Sequence, residues 1–279
     1  MPTVDNQIGF WDKKYDWLGA GEEWSSSWGN SELQWHMTVL PRIARFLPAG
    51  TILELAPGFG RWTHYLKDHC RELIVVDLAA RCIEACRQRF ASASHITYHV
   101  NDGKSLEMVP DHSIDFAFSF DSLVHVEVDV IGAYLNELAR KLKPNGVGFI
   151  HHSNIGSYRR ELDLSRRLPT QMSNFLINRG ILIRNFHSRA ETMTAESFLG
   201  LCDHHGLRCM SQEIISWGEG HTHLIDCLSM FTPKASTYST PTRRIVNKKF
   251  MQEASRAKKL CDLYWQSAGR EQQNNVRNL

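Results

Sequence analysis

Between residues 51 and 77 the chain reads as a strand, a glycine turn, a helix and a second strand, an order that few folds accommodate. The run 51–56 is apolar apart from Thr51 and Glu54 and has the length of a buried strand. Pro57, Gly58, Phe59 and Gly60 break it, a helical stretch follows near 61–70, and the apolar run 73–77 ends on the carboxylate of Asp77. Strands joined through a helix pair in parallel, because a parallel connection has to cross back over the sheet. The alternation continues through strands near 95–100, 113–120 and 146–152 and helical stretches near 79–91 and 130–142, the last closed by Lys143, Pro144, Asn145 and Gly146. After a long insertion, a helix begins at Thr194 and two more strands lie near 208–216 and 224–231. Seven strands alternating with helices predict an α/β fold, a doubly wound, largely parallel sheet.

A glycine turn at the carboxyl end of a first parallel strand lets a ligand approach the backbone, and the following helix offers unpaired N–H groups. A carboxylate at the end of the next strand can accept both hydroxyls of a ribose. Together they describe a site for a nucleoside-containing cofactor. The dinucleotide fingerprint needs glycine where this chain has Ala56 and Arg61, which disfavours a nicotinamide cofactor.

Glu54, Ala56, Gly58 and Gly60 match the acidic-x-Gly/Ala-x-Gly-x-Gly signature, and in this the chain resembles the class I S-adenosylmethionine (SAM)-dependent methyltransferases. Alanine stands where that signature most often has its first glycine. The resemblance spans roughly residues 45–232 and implies a Rossmann-like seven-stranded sheet whose last strand runs antiparallel, with SAM as cofactor. It further implies that Asp77 binds the ribose, that Asn101 and Asp102 contact the adenine, and that Gly58 and Gly60 flank the methionine end. Glu54, Ala56 and Phe120 complete the implied cofactor set. From the residues alone, Asp102 before Gly103 equally reads as a turn-capping aspartate.

Methyl transfer is an in-line displacement, so the protein has to position the acceptor and, for a hydroxyl, help to remove its proton. Histidine is the natural base near neutral pH. Strand four runs into Ser119, Phe120, Asp121 and His125, and a helical turn there puts Asp121 and His125 on one face. This segment resembles the corresponding part of the phosphoethanolamine methyltransferases, which implies an acceptor-holding role for Asp121 and a catalytic one for His125. Strand five ends on His151 and His152, whose side chains point to opposite faces. His152, nearer the strand end, is expected to be the one exposed to the acceptor. His221 and His223 sit near a glycine-containing hairpin tip, and no metal site is expected from them.

Three segments flank the predicted sheet. Residues 1–50 hold Phe10, Trp11, Tyr15, Trp17, Trp24, Trp28 and Trp35, an aromatic cover whose loop 17–30 is the lid candidate and whose helix is expected to start at Ser31. The insertion 156–190 carries seven arginines (159, 160, 166, 167, 179, 184 and 189) and no lysine. That composition suits bidentate contact with carboxylate or phosphate and raises an anionic acceptor as an expectation, beside the plainer reading of a solvated helix face. Residues 233–279 read as a linker, a helix over about 243–266 and a polar tail. The stripe Val246, Phe250, Ala254, Ala257, Leu260 and Tyr264 calls for a surface to bury it, on its own domain or in a homodimer.

With 279 residues, 42% hydrophobic, and a net charge of +2, the chain can bury a sizeable core and shows no dominating positive field. Nucleic acid is therefore an unlikely partner, and a nucleic-acid-binding protein on this fold is the remote alternative. Met1–Gly9 is polar, no run approaches a membrane span, and the seven cysteines form no C-x-x-C pair. The expectation is a cytoplasmic methyltransferase acting on a hydroxyl of a small polar acceptor, a sugar or natural-product intermediate, with small-amine N-methylation as the alternative.

Overall fold

The computed structural model describes residues 3–17, 19–185, 188–217 and 223–276, with no account of side chains beyond 264. Its strands are β1 (Ala49–Leu55), β2 (Cys70–Asp77), β3 (Ile96–Val100), β4 (Ile114–Ser119), β5 (Leu142–Ser153), β6 (Leu207–Ile215), β7 (Asp226–Pro233) and β8 (Arg243–Asn247). The helices are α1 (Val4–Ile8), α2 (Ser31–Gln34), α3 (Leu40–Ile43), α4 (Thr63–Leu66), α5 (Ala80–Arg89), α6 (Val128–Lys141), α7 (Arg159–Arg167), α8 (Thr170–Asn178), α9 (Ala195–His204) and α10 (Phe250–Val276). All eight strands form one sheet in the order β3-β2-β1-β4-β5-β7-β6-β8. Only β7 runs against its neighbours, pairing antiparallel with both β5 and β6.

Both faces of the sheet are covered, which explains why the central strands read as continuous apolar runs. One core layer joins Ile52, Phe116, Phe118 and Phe149 to Trp28, Trp35, Ile83 and Phe250. The opposite layer joins Leu53, Leu55, Ala117 and Ile150 to Ile131, Leu135 and Phe198 of α6 and α9. Alternation along each strand thus sends neighbouring residues to different layers.

Three expectations are corrected. Residues 243–247 are an eighth strand, parallel to β6, and α10 starts only at Phe250. The β8 side chains are mostly exposed, as an edge strand allows, and Ile245 and Val246 mimicked the start of a helical stripe. Only the middle of that stripe is buried within the same chain, where Phe250, Ala254 and Ala257 pack with Trp28, while Val246, Leu260 and Tyr264 stay exposed. Asn30 rather than Ser31 caps α2: its Oδ1 accepts from the Leu33 amide at 2.8 Å, while the Ser31 hydroxyl bonds Tyr65. Finally, Lys143 to Gly146 do not form a free turn, because β5 begins at Leu142, opposite Ile114, and continues through them past a register shift.

Candidate active site

The segments that follow β1, β2, β3 and β4 at their carboxyl ends line a cleft of about 870 Å³, counting the part open to solvent. Its floor is the turn after β1. Ala56 adopts φ 55° and Gly58 φ 59°, both left-handed, so the chain reverses within three residues. Gly58 is needed for space as well as for φ: a Cβ there would lie 2.7 Å from Trp17 Cη2. At the end of β2 the Asp77 carboxylate accepts from the Gly58 amide at 3.3 Å and from the Ala79 amide at 2.8 Å. Burial pushes Asp77 up to about 6 against the pull of these amides.

Beneath the floor, Glu54 is buried and takes a 2.6 Å hydrogen bond from the Thr63 hydroxyl. Burial, reinforced by the charge of Asp77, raises it to about 8. Gly60 turns away from the cleft, since a Cβ there would meet Phe90 at 2.5 Å. Of the expected cofactor residues, Ala56, Gly58, Asp77 and Phe120 line the cleft, while Glu54, Gly60, Asn101 and Asp102 do not. Asp102 caps its own turn, accepting from the Lys104 and Ser105 amides at 2.8 and 2.7 Å, and those bonds hold its carboxyl below the usual range. Asn101 donates to the hydroxyl of Tyr134, a lining residue, at 3.1 Å.

The aromatic front of the chain forms the roof. Trp11, Trp17 and Trp24 line the cleft, with Trp17 stacked on Phe59 at 4.5 Å and 7°. Helix α5 has no capping side chain of its own at Ala79; instead Asp12 accepts from the Arg81 amide at 2.9 Å, and Arg81 donates to the Tyr15 carbonyl. Trp28, within the lid candidate 17–30, belongs to the core.

At the far end of the cleft lie Arg61, Asp121 and His125. Arg61 spans from the Ser25 hydroxyl to the Asp121 carboxylate, which it meets at 2.8 Å, with its guanidinium 4.5 Å from the centre of the Trp62 ring. His125 is half-buried; its Nδ1 lies 3.3 Å from the Ser188 carbonyl oxygen, an atom that only accepts, so Nδ1 carries the proton and Nε2 the lone pair. Burial and the charge of Arg189 push His125 down to about 4, so it is neutral at pH 7.

Neither strand-five histidine lines the cleft: both are fully buried, against the expectation that His152 is exposed to the acceptor. His152 is fully buried on the layer away from the cleft, stacked on Phe198 at 4.3 Å and bonded to the Ser229 hydroxyl at 2.8 Å. Proximity to the strand end did not decide exposure; the alternation did, and α9 covers the face that His152 shares. His151 points the other way, accepts at Nδ1 from the Asp121 amide at 3.2 Å, and lies against Phe120 and Trp217. Of the insertion arginines, Arg159 and Arg166 pair with Asp163 and Arg166 also with Glu191, while Arg189 forms a buried fork with Asp226 at 2.6 Å. None of the seven lines the cleft, so among the described residues the insertion gives it no arginine.

His221 lies outside the described residues, and His223 packs edge-on against Tyr158. Among the described residues there is no cluster of three or more His, Cys, Asp or Glu arranged to hold a metal ion, and no helix long and apolar enough to cross a membrane. Arg61 and Asp226 were given no role by sequence reasoning, His151 was read only as the counterpart of His152, and the cleft-lining Trp11, Trp17 and Trp24 fall within the aromatic segment 1–50 that was expected to be a cover.

Residues 52–146 match a family model described as a methyltransferase domain. No curated protein sequence matches the chain. Among solved structures the fold is similar to one described as a DhpI-SAM-HEP complex, at 17% identity and a TM-score of 0.53, over 82% of this chain and 97% of that one. It is also similar to the PH0226 protein of Pyrococcus horikoshii OT3, at 21% identity and a TM-score of 0.51, over 74% and 93% of the two chains. A third likeness is to the N-methyltransferase NodS of Bradyrhizobium japonicum WM9, at 16% identity and a TM-score of 0.50, over 73% and 96%. With the glycine turn, the strand-end carboxylate and the sheet order already in place, residues 52–146 of this chain are similar to a methyltransferase domain.

Proposed function

We propose that the protein moves a methyl group from SAM to a hydroxyl of a small ring-containing acceptor, a sugar or natural-product intermediate. The residues present fit the donor: Gly58 leaves a cradle that a Cβ would fill, and the Asp77 carboxylate stands at the end of β2 where ribose hydroxyls can donate to it. SAM, when bound, supplies a methyl carbon made electrophilic by its sulfonium.

The observation that carries the hydroxyl reading is the tautomer of His125. With Nδ1 engaged by Ser188, its Nε2 lone pair is left to take the acceptor proton as the new carbon–oxygen bond forms. Asp121 is held by Arg61 and serves orientation rather than proton transfer. Trp11, Trp24, Trp62 and Phe120 give that end of the cleft flat apolar walls suited to a ring face.

N-methylation of a small amine is the second reading, and one observation favours it. A histidine held at about 4 is a weak base, and a neutral amine needs none. Incubating the protein and isotopically labelled SAM with a metabolite extract, followed by mass spectrometry, identifies the methylated product. His125→Ala then decides between the readings. For a hydroxyl acceptor we expect turnover to fall by about 10²–10⁴ with SAM affinity retained; a loss below about tenfold supports the amine.

A further inference from the structure

Asp121 is a non-glycine residue in the left-handed region, at φ 67°. Such a conformation is strained and persists only where the surroundings over-determine it. Here two independent contacts do so. Arg61 holds the carboxylate, and the buried His151 ring holds the backbone amide through Nδ1 at 3.2 Å. Because Nδ1 accepts, the proton of this ring sits on Nε2, which faces the Asp226 carboxylate at 3.5 Å. Asp226 in turn is forked by Arg189, and both side chains are at most 3% exposed. Burial alone would raise Asp226, but Arg189 holds it well below the usual carboxylate range.

Arg189 ends the arginine-rich insertion, and its neighbours grip the same loop. The Ser188 carbonyl takes the Nδ1 proton of His125, and the Ala190 amide donates to the Val124 carbonyl at 2.9 Å. On its other side the Ala190 carbonyl accepts from the Ser153 hydroxyl at 2.9 Å. Asn185 closes the turn by exchanging hydrogen bonds with the backbone of Arg189. Three consecutive residues, 188 to 190, therefore hold the loop 121–125 by hydrogen bonds at His125 and Val124, and reach Asp121 through the 3.5 Å approach of Asp226 to His151, whose Nε2 has no hydrogen-bond partner.

We propose that His151 and Arg189 are positioning residues, and that residues 188–190 form a clasp through which docking of the insertion sets the Asp121–His125 loop at the acceptor end of the cleft. The proposal rests on the reading of Asp121 and His125 as acceptor-side residues. Its structural content is independent of which acceptor is methylated. The buried Arg189–Asp226 pair belongs to this connection and is not a receptor for an anionic acceptor.

The test uses the full chain with S-adenosylhomocysteine as the probe and needs no acceptor. Amide hydrogen exchange over residues 119–125 is compared for the wild type, His151→Leu, His151→Asn and Arg189→Lys, and nitrogen-15 NMR reads the tautomer of His151. The His151→Asn change keeps an acceptor near the Nδ1 position but cannot reach Asp226; Arg189→Lys keeps the charge but not the fork. We expect the Nε2–H tautomer in the wild type, exchange about tenfold faster in His151→Leu, and only partial recovery in His151→Asn, to about threefold faster than wild type, because the Asp121 contact is kept and the approach to Asp226 is lost. Arg189→Lys should accelerate exchange in the same segment by about threefold or more, from more than 60 residues away in sequence, with affinity for the probe changed by less than about twofold. Wild-type protection in folded His151→Leu or in Arg189→Lys overturns the proposal, as does an Nδ1–H tautomer. If His151→Leu does not fold, the tautomer and the Arg189→Lys exchange decide alone. Failure of the hydroxyl reading would show instead in the identity of the methylated product, with these results unchanged.

Discussion

The guanidinium of Arg61 lies 2.8 Å from the carboxylate of Asp121, and both side chains are only 8% exposed. The two charges stand 60 positions apart in sequence and meet at the rim of the cleft, where the turn after β1 faces the turn after β4. Removing one partner from so dry a pair leaves the other uncompensated. We expect Arg61→Met to cost about 3–5 kcal/mol in urea unfolding and Arg61→Met with Asp121→Asn together to cost less than the sum of the two single changes. Additive single effects would mean that the pair contributes nothing beyond its separate contacts.

The glycine turn separates steric need from conformational need. In Gly58→Ala the new methyl would press on Trp17 at a φ of 59°, so the roof has to shift. Affinity for S-adenosylhomocysteine should fall by about tenfold or more, which is about 1.4 kcal/mol, and tryptophan fluorescence should change. Ala56→Gly, at φ 55°, relieves a left-handed alanine and should stabilise the fold by about 1 kcal/mol. A destabilised Ala56→Gly would show that the methyl of Ala56 contributes packing that outweighs its strain.

Glu54 sets a pH dependence whose sign follows from its burial. Its carboxyl is at about 8 in the folded chain against 4.5 as the reference value, so the folded state holds a proton that the unfolded state releases. The corresponding stability is fully present below about pH 4.5 and is lost as pH rises towards 8. Asp77, raised from 3.8 to about 6, adds to the lower part of that window. Without ligand, the Tm should decline between about pH 6.5 and 8, above the histidine window, by about 2–4 °C for each kcal/mol lost, and Glu54→Gln should flatten the decline. His125 and His152, both lowered from 6.5 to about 4, act at the opposite edge, where stability is lost as pH falls through that interval.

Helix α10 offers a test of where its apolar stripe is satisfied. Phe250 is fully buried beside Trp28 and Trp217, whereas Leu260 is 54% exposed. Phe250→Ala should cost about 3–5 kcal/mol, and Leu260→Ala about 0.5 kcal/mol or less, both measured by denaturant unfolding. A large effect at Leu260 would reveal a second surface covering that half of the helix.

What could be read from the sequence follows from how local each signal is. The strands β1, β2, β4 and β5 were legible because burial on both faces makes them apolar throughout, and the turn at residues 57–60 because its glycines answer local steric demands. The edge strand β8 was not, since Ile245 and Val246 continue a helical spacing into Phe250 and Ala254 and no buried face contradicts it. For His151 and His152, alternation told that they diverge but not which face the cleft would take; that depends on the layer filled by α9, more than 40 residues later. Arg61 with Asp121 and Arg189 with Asp226 are long-range pairings of common residue types, invisible until the sheet order brings their loops together.

The bond between Asp12 and the Arg81 amide ties the wall of the cleft to the helix beside it. The stretch that supplies Trp11 and Trp17 to the cleft also supplies the cap that α5 lacks at Ala79. A change that displaces these tryptophans would therefore uncap that helix as well: one short stretch of chain walls the cleft and finishes the helix.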